Sequence, residues 1–189
     1  MNTRSRIILR IPGPWPTRVD IIEAVARSGT GYLFADDLLY NTRTLQTFTT
    51  LVGEYNPQME GAFRMLSTGS IDEQTLSAIG KHTHSLYLVT HAESPNDART
   101  AVRAADALLT AGGIAILVES SGIVHTASAW HSFLARSDSA ALYEAFVSPW
   151  ASPPNGPTIP VACTTWAGVM PSLPATFTPL MHFLSCRIS

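Results

Sequence analysis

The stretch Thr110–Trp130, TAGGIAILVESSGIVHTASAW, holds the residues best suited to chemistry. Its apolar run ends on Glu119, followed by Ser120, Ser121 and Gly122, with His125 a little further on. A carboxylate at the C-terminal end of a buried strand stands where sheet-based proteins commonly place ligands. It can serve as a general acid or base with an imidazole assisting. One reading is therefore a hydrolase-type site in which Glu119 works with His125 or His82. A second takes Glu119, Ser120, Ser121, Gly122 and Trp130 together as a ligand-binding loop. The plainest has Glu119 and the serines satisfying turn backbone while Gly122 supplies a positive φ. The order ESSG is not the G-x-S-x-G nucleophile elbow, whose serine lies between two glycines.

Other groups carry weaker signals. His82 and His84 are two residues apart, so on a strand both imidazoles face one side and could meet one metal. A third ligand would have to come from His91, Asp36 or Glu119. The alternative is a helix C-terminus at which a histidine bonds the last carbonyls. Asp36 and Asp37 could hold magnesium, but such a pair more often solvates a turn. Gly112–Gly113 follows a helix and precedes a strand, the reverse of a dinucleotide fingerprint, and reads as a helix end. No metal and no cofactor is assigned. Trp15 and Trp130 are expected to cover the core or the edge of a cleft.

The elements that must position these residues are legible in the pattern. RIILRI (Arg6–Ile11) reads as a strand, PGPWP as a stiff turn, and Thr17 as the cap of a helix through VDIIEAVARS. GYLFAD is a second strand, and Leu45–Val52 is β-rich. A helix over PQMEGAFRML precedes one started by Ser70 with Glu73 at the capping-box position. SLYLVT is a strand, and Ser94 or Asn96 caps a long helix with an alanine and leucine stripe ending at Gly112. The strand GIAILVES follows, then helices over TASAWHSFLAR and SAALYEAF. The expected architecture is α+β, a mixed α/β sandwich. It has two strand–helix–strand units around a β-rich middle, with helices mostly on one face of the sheet.

At 189 residues and 46% hydrophobic content the chain suits a single domain over residues 1–147 plus an appendage. Twelve basic against 14 acidic residues leave a net charge of −2, which gives no footprint for nucleic acid or an anionic membrane. No apolar run approaches the length of a membrane span or a signal-peptide core, so a cytoplasmic location is expected. Cys163 and Cys186 form neither a disulfide framework nor a C-x-x-C pair. From Ser148 onward the character changes. Arg187 is the one charged residue there, and eight of the 13 prolines fall in this segment. Such a composition suits neither a folded surface nor a typical disordered tail.

The strand followed by PGPW (Pro12–Trp15), Ala62–Phe63, HTHSLYL (His82–Leu88) and above all AADALLTAGGIAILVESSG with Trp130 resemble a bacterial family known as a domain of unknown function. The resemblance spans roughly residues 6 to 145 and implies the fold order but no activity. That family continues with a Gly-Met-His-x-Leu-Gly-x-x-Asp segment, where this chain has VACTTWAGVMPSL. Codons for Ala162–Ser172, read in a shifted frame, can spell Met-His-His-Leu-Gly-Trp-Arg-Asp-Ala-Glu. The expectation is a frameshift near residue 160, and the gene's nucleotide sequence decides it: an early stop in the shifted frame ends the idea. The function expected first is non-enzymatic binding of a protein partner or small ligand. The hydrolase reading is the alternative, and an inactive remnant of a frameshifted gene the further one.

Overall fold

The computed structural model describes residues 6–91, 93–136, 138–149 and 160–161. The frameshift reading, and the tail from Trp150 apart from Pro160 and Val161, lie outside the described residues. Seven strands form one sheet: β1 (Arg6–Gly13), β2 (Tyr32–Ala35), β3 (Leu38–Asn41), β4 (Thr47–Glu54), β5 (His84–His91), β6 (Ala115–Val118) and β7 (Ile123–Thr126). Their order is β2-β3-β4-β5-β1-β6-β7, and every neighbouring pair is antiparallel. The α+β reading holds. A short ribbon pairs β8 (Ser148–Pro149) with β9 (Pro160–Val161).

Two strand–helix–strand units are present as expected, and each joins strands that run the same way without touching. Helix α1 (Arg18–Arg27) carries the chain from β1 to the edge strand β2, and α4 (Pro95–Thr110) crosses over β1 from β5 to β6. Both begin in a capping box, Thr17 with Asp20 and Ser94 with Asp97, so the first-turn N–H groups find acceptors before any tertiary contact forms. With α5 (Ala127–Arg136) and α6 (Ser139–Phe146) they cover one sheet face. There the alternate residues Ile7, Leu9, Ile11, Leu86, Leu88, Ile116 and Val118 join the main core.

Helices α2 (Met59–Ser67) and α3 (Glu73–Gly80) lie on the opposite face, over β6 and β7. Met59, Phe63, Leu76 and Ile79 close there on Ala115, Leu117 and Val124 as a second core. Helix α3 starts later than its sequence suggests. Asp72, not Ser70, accepts from Thr75 N, because Ile71 is buried in the second core and holds the chain extended up to the cap. Glu73 pairs with Arg64 of α2 instead of reaching back to Ser70. The strands β3 and β7, four residues each, escape a reading by pattern, and Leu45 sits exposed in a turn at φ 60° instead of in β4.

Candidate functional site

Register decides which candidates can meet. Leu9 pairs with Val118 and Arg10 with Leu117, and Glu119 N donates to Ile8 O at 3.0 Å, so Glu119 shares a face with Ile8, Arg10 and Leu117. His125 pairs with Ile116, a residue of the main core on the other face. The sheet therefore stands between Glu119 and His125.

Glu119 faces Arg10 instead. Oε1 lies 2.6 Å from Nε, and the two side chains are 30% and 21% exposed, a half-buried ion pair. The buried Nε–H is not aligned for a hydrogen bond, so charge rather than geometry holds the contact. The guanidinium also stacks 4.7 Å from the centre of the Tyr87 ring and reaches toward Met59 of α2. Glu119→Gln is expected to cost about 1–2 kcal/mol, between the values for exposed and fully buried pairs. Chemical denaturation measures it, and an unchanged midpoint would show the pair to be inert.

The loop residues of the sequence reading form the β6–β7 turn. Gly122 adopts φ 67°, and the Ser121 and Gly122 amides both donate to Val118 O, at 3.2 and 2.8 Å. Ser120 is exposed, while the Ser121 hydroxyl is buried without a partner. Trp130 is fully buried and donates its indole N–H to Val102 O of α4 at 3.0 Å, so it fills core rather than lining this turn.

His125 lies between the Trp130 and Phe133 rings and donates from Nε2 to Ala145 O of α6 at 3.0 Å. Burial pushes its pKa below the ordinary value, outweighing the hydrogen bond that raises it. The unfolded chain thus takes up a proton at higher pH than the folded one does. The contribution is whole above the unfolded value near pH 6.5 and is lost as pH falls from there toward the folded value, by up to about 1.4 kcal/mol per pH unit. Melts of wild type and His125→Gln between about pH 8 and 5 test this, with the variant expected to show the shallower acid slope.

His82 is buried. Its Nδ1 donates to Ile79 O at 2.6 Å and its Nε2 accepts from Asn56 N at 3.2 Å, which pins the end of α3 to the start of the β4–α2 loop. His84 donates from Nδ1 to Trp15 O at 2.6 Å. Both imidazoles are thus committed to backbone carbonyls, as the helix-end alternative foresaw for His82, and among the described residues no group of histidine, cysteine and carboxylate ligands could hold a metal. Asp36 and Asp37 form the β2–β3 turn, with Arg18 contacting the Asp36 carbonyl and the Asp37 carboxylate. None of the described helices is long and apolar enough to cross a membrane.

What the sequence reading missed is the surface on which the ion pair stands. The alternate residues of β2 to β5 that point away from the main core include Leu33, Leu38, Tyr40, Leu51, Tyr87 and Val89. Leu33 and Leu38 are 45% exposed and Leu51 is 52% exposed. The signal was present in FTTLVGE, where Leu51 sits out of phase with Phe48, Thr50 and Val52. Among the described residues, fold and surface together define an antiparallel α+β sandwich closed on one face and half open on the other. No family model, curated protein or solved structure matches the chain.

Proposed function

We propose that the chain is a binding domain whose working surface is the open half of the sheet over β2, β3, β4 and β5, bordered by the Arg10–Glu119 pair. One observation carries the reading: an antiparallel sheet face left to water normally alternates to polar residues, and this one presents leucine and tyrosine. The hydrolase alternative lacks support from geometry, because Glu119 and His125 stand on opposite faces and His82 is committed to Ile79 and Asn56.

In dilute solution Leu38→Asp/Leu51→Asp is expected to keep the helix content of the wild type and to fold cooperatively, since both side chains are already about half exposed. In dilute solution the wild type should bind an anilinonaphthalene sulfonate dye, and the double variant should lose most of that fluorescence. Equal dye binding by both proteins overturns the reading, as does a variant that no longer folds, which would place these leucines in a core.

A further inference from the structure

We infer that the open sheet half is where two copies of this chain stack face to face. The inference rests on the binding reading above and names the partner. The face approaches the dimensions of a dimer interface. Its four strands, β2 to β5, about 4.8 Å apart and four to eight residues long, span about 400 Å² in projection. Side-chain relief raises the accessible area above that, toward the roughly 800 Å² each partner buries in a standard interface.

The relief is of a kind that a copy of itself can fill. Along one row small residues alternate with large ones, Ala35 opposite Leu38 and Leu38 opposite Thr49, while Leu33 and Tyr40, and Leu51 and Tyr87, stand as ridges to either side. The Tyr87 ring lies over Gly53, 3.0 Å from where an ideal Cβ would stand, and levels the face beside Leu51. Two such sheets pack about 10 Å apart with their side chains interdigitated, and an isologous contact needs a surface that complements itself.

The charges agree. Arg10 and Glu119 neutralise each other at the inner edge, and Arg6 is the further charged residue on that face of β1. The turn at the β2–β3 rim carries Asp36 and Asp37, whereas an anionic lipid surface would be met by lysine and arginine.

Sedimentation velocity of the full chain, over about 1 to 200 µM, tests the inference together with Thr49→Arg and Leu38→Asp/Leu51→Asp. Thr49 is already exposed and polar, so its variant keeps the fold while placing a like charge on both copies in the stack. The expected result is a concentration-dependent wild-type dimer that either variant weakens by about a hundredfold or more. A dimer that persists unchanged in both variants overturns the inference, since the interface then lies elsewhere. A wild type that stays monomeric and binds dye overturns the second copy but leaves the open face as a binding surface. A monomer that binds no dye, and in which cross-links join residues 150–189 to β4, gives the face to the chain's own C-terminal segment and overturns both.

Discussion

Trp130→Ala should destabilise the domain by about 3–5 kcal/mol, the range for removing a large buried aromatic. Trp130 is fully buried where α4, α5 and α6 meet. Its ring stands edge-on to Phe133 and Phe146, at centroid distances of 6.1 and 5.9 Å, and its N–H reaches Val102 O. Truncation leaves a cavity in the main core, removes both ring contacts and orphans a buried acceptor. A protein of this size is stable by about 5–15 kcal/mol, so about a fifth or more of the total is at stake. Urea unfolding followed by circular dichroism gives the number, and a loss below about 1 kcal/mol would mean that the core collapses around the gap. His125 should respond as well, because one wall of its pocket is the Trp130 ring, 5.5 Å away. With that wall gone, the acid slope of stability is expected to flatten.

Trp15→Ala should cost a similar amount, about 3–4 kcal/mol, by a different route. The Pro-Gly-Pro-Trp turn folds the indole back over Gly13, where an ideal Cβ would come within 2.3 Å of the ring. The buried N–H donates to Ala111 O at the end of α4, 2.9 Å away, and Thr83 and His84 both donate to the Trp15 carbonyl. The ring thus ties the end of β1 to the end of α4, and its backbone to the start of β5. Gly13→Ala alone should cost about 1–3 kcal/mol by overpacking. Combined with Trp15→Ala, that added cost should nearly vanish, since the ring that the methyl strikes is no longer there. A double-mutant cycle reads this coupling, and strict additivity would refute the stacking as its cause.

The capping chemistry explains why much of the fold was legible. Thr17 with Asp20, Ser94 with Asp97, and Gly112 at φ 108° are local devices, and they mark α1 and α4 in the same places in sequence and structure. Ser70 with Glu73 misled because a long-range partner, Arg64, claims the glutamate and buried Ile71 delays the helix. The four-residue strands β3 and β7 went unread because so short a pattern fits turn or strand alike. Missing β7 mattered most. It placed His125 in a loop next to Glu119, whereas a strand pairs it with Ile116 on the far side of the sheet.

By itself, then, the sequence determined the α+β class, the two strand–helix–strand units, the ends of α1 and α4 and the turn at Gly122, because each follows from contacts within a few residues. Only the tertiary structure decided that Glu119 meets Arg10 rather than His125, that Trp15 and Trp130 are buried, and that Leu33, Leu38 and Leu51 are not. Those outcomes depend on strand order and register. A sheet has two faces, and which one a side chain joins, and whether a helix covers it there, is set by strands and helices distant in the chain.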